Sequence, residues 1–488
     1  MQPEITINPI NEVFCRIECS DSIAYELNDY FAFRPNNYKF DKRFRNKVWD
    51  GYIRLFSIRK RTIYKGLIPY VIDFAKNNGI ACTDNVTKGD ENFSIRECVE
   101  FVKSLSLPGK IAPRDYQIKA VTHAIRKKRA VIISPTASGK SFIIYTLLRL
   151  LELRTLIIVP RVGLVRQMYG DFGDYSVDDP TWNVIDECSL ISSGYSKEAL
   201  SNVTITTWQS VYTLPKGWFD RFECVIIDEA HEAKANSLKG ILEKMTECQY
   251  RFGFTGTLDG VEVNKLTLEG LFGLSKKFVE THELMERGQV SKLRIKCCVL
   301  QYPEMDRKNL PKDYQKEVAW LVQNEKRNRF IANLALSLKG NTLVLYQYVD
   351  NHGKLLYDMI KAGNENAVFI HGDVKPDERE EIRKMVMRSD GIPMVCSYGT
   401  YSTGINIPNI HNIIFAFPTK SRVRSLQSIG RGLRLADGKL ECVLFDIVDD
   451  LTYKNKQNYV YRHFLERLKI YNEEQFDYKV YNIELGKR

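Results

Sequence analysis

Short apolar runs set the rhythm of this 488-residue chain. From about residue 101 they alternate with segments whose apolar positions recur at helical spacing. The first series is Val131–Ile133, Leu156–Val159, Val203–Ile205, Cys224–Ile227 and Phe252–Phe254. A second follows: Leu343–Leu345, Ala367–Ile370, Met394–Cys396, Ile413–Ala416 and Val443–Phe445. Continuous apolar runs this short predict parallel strands covered by helices on both faces. Two series predict two consecutive doubly wound α/β domains.

Residues 1–100 read differently, as a small α+β domain. Glu12–Cys19 and Gly51–Phe56 predict strands, while Ser22–Phe31 and Leu67–Asn77 predict helices, the second closed by the Asn78-Gly79 turn. The polar, turn-rich stretch 85–92 places a boundary nearby. The expected division is therefore 1–100, a first α/β domain over 101–260, a charged connecting region over 261–335, a second α/β domain over 336–450 and a basic helical tail over 451–488. In that tail Tyr459, Phe464, Leu468 and Tyr471 share one helical face.

Composition narrows the classes. The chain is 44% hydrophobic and 27% charged, ordinary for a globular protein. No apolar stretch approaches the ~20 residues of a membrane helix, and the first residues lack the basic and apolar regions of a signal peptide. The eleven cysteines are scattered with no C-x-x-C pair, so neither a zinc site nor a disulfide framework is expected. A reducing cytoplasm, with no membrane partner, fits.

Charge adds a partner class. The net charge is +11, and between Arg34 and Lys65 eleven Lys or Arg face only Asp41 and Asp50. Phe33, Tyr38, Phe40, Phe44, Trp49, Tyr52, Phe56 and Tyr64 are interleaved with them. A basic surface with aromatic company suits a nucleic acid, through counterion release and stacking. Arg59, Lys60 and Arg61 are the candidate contacts. The competing reading, aromatics as core and lysines for solubility, stays open here.

The chemistry concentrates at predicted strand ends. Ser134–Ser141, reading SPTASGKS, joins an apolar run to a helical segment. The loop amides of Thr136, Ala137, Ser138 and Gly139 and the helix N-terminus can cradle phosphates. Lys140 would reach the β- and γ-phosphates of ATP, and the Ser141 hydroxyl would ligate Mg²⁺. Ser134 stands where the common pattern has its first glycine. Val225–Ile227 runs into Asp228-Glu229-Ala230-His231; Asp228 would hold the Mg²⁺ shell and Glu229 would act as base for the attacking water. His231 reads as a coupling residue, and Thr255-Gly256-Thr257 as a sensor of the acidic site. In QSIGRGLR, Arg431 and Arg434 are spaced to share a helical face and to stabilise the transferring phosphoryl.

This order of motifs resembles superfamily 2 helicases of the DEAH type, built from two RecA-like parallel-sheet domains. Within that group, the Tyr38…Phe44…Trp49-Asp50-Gly51 pattern and both motor domains look most like the bacteriophage UvsW recombination helicases, related to RecG-type and XPB-type motors. The resemblance implies that Arg114 and Gln117 recognise adenine. It implies that Arg161 and Thr206-Thr207-Trp208-Gln209 contact the nucleic-acid backbone. Ser402-Thr403-Gly404-Ile405-Asn406 would link nucleotide and strand, with Thr403 on the nucleic acid and Gly404 and Asn406 on the nucleotide side; Asn406 replaces an acidic residue common in relatives. His371-Gly372-Asp373 either touches the strand or is a strand-end turn. Trp208 either stacks on a base or packs in the core.

The activity implied is ATP-dependent remodelling of branched or forked DNA in phage recombination, replication and repair, by a monomer, beside recombination or single-strand-binding proteins. In an infected bacterium it would act in the cytoplasm. An RNA helicase would carry the same motifs, and a clamp that binds nucleic acid without hydrolysis is the alternative of a different class.

Overall fold

The computed structural model describes residues 4–35, 38–87, 92–109, 111–192, 201–234, 236–402, 407–436 and 439–485. The chain forms two compact units, one from residues 1–134 and 139–278 and the other from residues 135–138 and 279–488. No helix among the described residues is long and apolar enough to cross a membrane.

The first unit opens with a small mixed sheet. Its strands are β1 (Ile5–Pro9) and β2 (Phe14–Cys19), then, after a two-stranded ribbon of β3 (Ala32–Phe33) and β4 (Ile53–Arg54), β5 (Thr62–Tyr64) and β6 (Cys82–Asp84). The order is β5-β2-β1-β6, with only β1 and β6 parallel. Helices Asp21–Tyr30 and Ile68–Asn77 cover it, burying Leu27, Val71 and Phe74 against Ile5, Ile7 and Ile17. Ser20 caps the first of these helices, its hydroxyl accepting from the amide of Ile23.

A seven-stranded sheet, parallel throughout, follows in the same unit. Its strands are β7 (Arg129–Ile133), β8 (Thr155–Val159), β9 (Cys188–Ile191), β10 (Val203–Thr207), β11 (Cys224–Asp228), β12 (Tyr250–Thr255) and β13 (Ser275–Lys277). They lie in the order β13-β7-β12-β11-β8-β10-β9, so the carboxyl ends of β7, β8, β10, β11 and β12 emerge along one edge, where open α/β sheets bind ligands. At the opposite end, Arg251 of β12 is fully buried and forms no ion pair among the described residues. Its guanidinium donates to the carbonyls of Leu271 (2.8 Å), Met245 (3.0 Å) and Leu242 (2.9 Å). It thereby satisfies acceptors at the carboxyl ends of helices Glu262–Phe272 and Asn236–Lys244.

The second unit holds another seven-stranded parallel sheet: β14 (Lys292–Gln301), β15 (Thr342–Tyr346), β16 (Val368–Ile370), β17 (Pro393–Ser397), β18 (Asn412–Phe415), β19 (Glu441–Asp450) and β20 (Tyr478–Glu484), ordered β16-β17-β15-β18-β19-β14-β20. The connecting region thus supplies strands as well as helices, β13 to the first sheet and β14 to the second. The tail is likewise no helical appendage. Its helix Tyr459–Glu473 packs on β19, and β20 then pairs with β14 along Ile295–Gln301.

Buried ion pairs explain this docking. Arg467 donates to both oxygens of Asp446 (2.9 and 2.8 Å) and to the carbonyl of Thr419 (2.7 Å), and the Tyr471 hydroxyl donates to Asp446 (2.9 Å). Arg327 and Tyr302 converge in the same way on Asp449, at 2.8 and 2.7 Å. The buried Glu317 accepts from the amides of Tyr459 and Val460 at the start of the tail helix, at 3.0 and 2.8 Å.

Candidate active site

The phosphate loop begins where β7 ends. The amide of Ser134 donates to the carbonyl of Thr255 on β12 (2.8 Å), and the Ser138 hydroxyl donates back to Pro135 (2.6 Å). Ala137 and Gly139 adopt φ of +66° and +80°. At Gly139 that dihedral disfavours a side chain, and a Cβ would also push against the Nε2 of Gln117, 2.4 Å away. Lys140 opens helix Lys140–Leu151, leaving its first amides at the loop. The Gln117 Oε1 accepts from the amide of Arg114 (2.9 Å), and the Arg114 guanidinium donates to the Tyr116 hydroxyl (2.7 Å).

Asp228 closes β11, and Glu229 turns the chain at φ +52°, a conformation rarely held by a residue with a side chain. Lys140 Nζ lies 3.3 Å from Glu229 Oε1 and 4.0 Å from Asp228 Oδ1. His231 Nδ1 is 3.3 Å from Glu229 Oε2 and 3.0 Å from the Thr255 hydroxyl, which donates to the carbonyl of Thr257 (2.9 Å). The structure thus brings Lys140, Asp228, Glu229, His231 and Thr255 into one cluster, with Arg114 and Gln117 on the flank of the loop.

The two carboxylates are driven apart. Burial lifts Asp228 to about 6, helped by the charge of Glu229 and opposed by Lys140. Burial also pushes Glu229 upward, but Lys140 and His231 overcome it and hold the group well below the usual carboxylate range. Glu229 is therefore the more firmly ionised of the two, while Asp228 gives up its proton only as the pH approaches neutrality.

The oxygens present fit a magnesium ion. Asp228 Oδ1 is buried and has no hydrogen-bond partner among the described residues, and the Ser141 hydroxyl faces the hydroxyl of Tyr175 at 2.8 Å. One carboxylate and one hydroxyl are hard ligands of the kind Mg²⁺ takes when substrate phosphates and water complete its shell. No cluster of three or more His, Cys, Asp or Glu suited to a metal occurs among the described residues. Tyr175 escaped the sequence reading because it lies in another helix and belongs to no motif spacing.

A separate cleft of about 560 Å³ opens at the ends of β8, β9 and β10, lined by Arg161, Ser192, Thr207, Gln209 and Ser210 among others. Arg161, Thr207 and Gln209 thus share one surface. Thr206 requires a correction. It is fully buried inside β10 and its hydroxyl donates to the carbonyl of Ile191 (2.9 Å), so its side chain braces β9 and does not reach the cleft. Trp208 is half-buried and packs against the core.

In the N-terminal domain the aromatics divide. Phe56 and Tyr64 belong to the core, whereas Phe40 is 79% exposed. Between them lies a lattice of cations over rings: Arg34 above Tyr52 at 4.3 Å, Arg43 above Trp49 at 5.1 Å and Arg54 above Tyr52 at 5.2 Å. Arg59 and Lys60 are exposed. Arg61 differs from expectation, being paired with Asp21 and donating to the carbonyl of Ser20 (3.4 Å), so its charge is already engaged.

In the second unit, Arg431 lies in helix Arg422–Gly432 with its guanidinium 5.9 Å from the centre of the Tyr401 ring. Arg434 follows the helix end, where the buried Lys439 donates to its carbonyl (2.9 Å). His371 Nδ1 is 3.4 Å from Asp373. Thr403, Gly404 and Asn406 lie outside the described residues.

Comparison with known proteins agrees with this layout. Family models match in chain order: DNA helicase UvsW, N-terminal, over residues 5–83; type III restriction enzyme, res subunit, over 110–260; and helicase conserved C-terminal domain over 325–436. The ATP-dependent DNA helicase uvsW of Enterobacteria phage T4 is 33% identical over 96% of this chain and 97% of its own length. The crystal structure of T4 UvsW matches 99% of this chain and 100% of that one, at 30% identity and a TM-score of 0.53. The DNA 3'-5' translocase XPB2 of Sulfurisphaera tokodaii is 25% identical over 71% of this chain and 84% of its own length. With its tandem RecA-like domains behind a small N-terminal α/β domain, the chain belongs to the UvsW family of superfamily 2 helicases.

Proposed function

We propose that this helicase is an ATP-driven motor that remodels branched DNA, by branch migration, fork regression and duplex unwinding. The observation that carries the reading is the cluster of Lys140, Asp228, Glu229 and His231 at the carboxyl ends of β7 and β11, the two strands that flank β12. A protein that only clamped nucleic acid has no use for an ionised carboxylate held beside a phosphate-loop lysine.

In this reading the amides of residues 136–139 and Lys140 hold the β- and γ-phosphates of ATP, while Arg114 and Gln117 meet the adenine. Ser141 and Asp228 would hold Mg²⁺, which when bound supplies neutralisation of phosphate charge. Glu229 accepts the proton of the attacking water, and His231 with Thr255 relays the state of that carboxylate to β12. Arg431 and Arg434 are assigned the charge on the transferring phosphoryl, with Gly404 and Asn406 linking nucleotide and strand. Arg161, Thr207 and Thr403 hold one DNA strand, and the cation–ring lattice of the N-terminal domain receives the branched part of the substrate. The division at residues 100, 260, 335 and 450 is our plan of these working parts. We place the motor, as a monomer, in the cytoplasm of an infected bacterium beside recombination or single-strand-binding proteins.

Steady-state ATP hydrolysis tests the reading, with no nucleic acid, single strand, linear duplex, a four-way junction and RNA, and Lys140→Ala as the blank. Hydrolysis stimulated most by the junction is expected. Stimulation by RNA alone would transfer the protein to RNA substrates, and absence of turnover under every condition would overturn the motor.

A further inference from the structure

The first unit has a second large opening, at the end of its parallel sheet remote from the phosphate loop. There the amino ends of β7 and β12 meet the N-terminal sheet around a cleft of about 850 Å³. That volume lies within the range of small-ligand sites. Ile68, Pro69, Val86 and Leu274 give it an apolar side.

The other side is cationic. Lys65, Lys127, Lys128 and Arg129 line it, and Glu12 is the one carboxylate among its described lining residues. Glu12 is shared: Lys65 Nζ reaches its Oε2 at 2.7 Å, and Arg129 Nη2 donates to its carbonyl at 2.6 Å. Arg129 Nη1 is buried with no acceptor among the described residues, a condition that is costly unless a ligand supplies one. Behind it stands Arg251, held on three carbonyls with no ion pair among the described residues, its charge countered in part by the nearby Glu12. The nearby thiols of Cys15 and Cys248 are both pushed up to about 12, chiefly by burial, and bring no negative charge at neutral pH. Burial, with Lys276, Lys127 and Arg126 around it, holds His123 on the cleft wall down to about 4. Among the described lining residues, four cations therefore share the single carboxylate of Glu12.

We infer that this cleft is a second phosphate site, which takes one nucleotide unit with its phosphate on Lys127, Lys128 and Arg129 and its apolar part on the Ile68–Leu274 side. The phosphate comes from a nucleic-acid strand or from a free nucleotide. The site is independent of the ATP reading, since it lies at the other end of β7.

Two variants of the full chain test it. Lys127→Gln with Lys128→Asn removes two charges, and asparagine tolerates the left-handed φ of +59° at position 128. Leu274→Trp fills the apolar side without touching a charge. Calorimetry with dTMP, in a Lys140→Ala background, reads the free-nucleotide source. Fluorescence anisotropy of a short labelled single strand across salt concentrations reads the strand source. Thermal melting and DNA-independent ATP hydrolysis, in chains with Lys140 intact, verify that each variant is folded. If the ligand is a free nucleotide, dTMP binding weakens about tenfold or more in both variants. If it is a strand, the salt slope of the lysine variant falls by roughly 0.7 for each phosphate no longer neutralised, and Leu274→Trp weakens strand binding. An effect of the lysine variant alone would reduce the cleft to surface charge and overturn the site, as would wild-type behaviour of both variants in both arms.

Discussion

The hydroxyls of Ser141 and Tyr175 lie 2.8 Å apart, joining the first turn of the phosphate-loop helix to the last residue of helix Val162–Tyr175. Tyr175 is wedged against Phe142 and Tyr145, with ring centres 5.6 and 5.4 Å away, so its hydroxyl is held in place. A cation on the Ser141 oxygen would leave that hydroxyl's proton to donate to Tyr175, which fixes the direction of the remaining lone pair.

Tyr175→Phe is therefore expected to raise the Mg²⁺ concentration for half-maximal ATP hydrolysis by up to about tenfold. The rate at saturating Mg²⁺ should stay near wild type. An unaltered Mg²⁺ requirement would reduce Tyr175 to packing.

Arg251→Leu should destabilise the first unit by roughly 3 kcal/mol or more, because three buried carbonyls lose their donor together. Urea titration measures it. Arg251→Lys should recover only part of the loss, since an ammonium lacks the planar fork that spans the ends of two helices. Full recovery by lysine would show that charge alone matters there.

Replacing Arg59 and Lys60 by serine should flatten the salt dependence of DNA binding by roughly 0.7–0.9 for each phosphate left without its cation. Arg61→Ser should act differently, lowering the melting temperature through its missing bonds to Asp21 and Ser20 with little change in slope. Equal slope changes in the two variants would contradict that separation.

Acid should act through His123. Its folded value of about 4 lies below the ordinary 6.5, so the unfolded chain binds the proton more readily between those two pH values. The stability contributed by neutral His123 is complete above pH 6.5 and erodes as the pH falls toward 4. A His123→Gln variant should lose less melting temperature than wild type on acidification through that window. A parallel loss in both proteins would remove His123 from the acid response.

Much of this was legible in advance for a physical reason. Strands buried on both faces must be continuously apolar, and those runs proved to be β7, β8, β10, β11, β12 and β15–β19. Three strands that went unread carry no such run: β9 is Cys-Ser-Leu-Ile, β13 is Ser-Lys-Lys, and β20 is an edge strand exposed over most of its length. β14 does carry one, Cys297–Leu300, but its charged first half hid it inside the connecting region. Phosphate-loop and acidic residues were readable because their chemistry admits few residue types at few spacings. Tyr175 beside Ser141, and the cations of Lys65 and Arg129 around Glu12, come together only through packing. Thr206 misled because consecutive residues of a strand face opposite sides, so it points away from the cleft that Thr207 lines.

β14 has a history as well as a place. Both of its partners lie far downstream, β19 at Glu441–Asp450 and β20 at Tyr478–Glu484. While the chain is being synthesised, this ten-residue strand exists with both edges bare until those segments have emerged, a hazard for pairing with strands of other molecules. Lys292, Arg294 and Lys296 occupy alternate positions over its first half. Their like charges oppose stacking of one nascent copy on another, a consequence separate from their contacts in the finished sheet, where Arg294 pairs with Glu441 and Lys296 lies over Phe445.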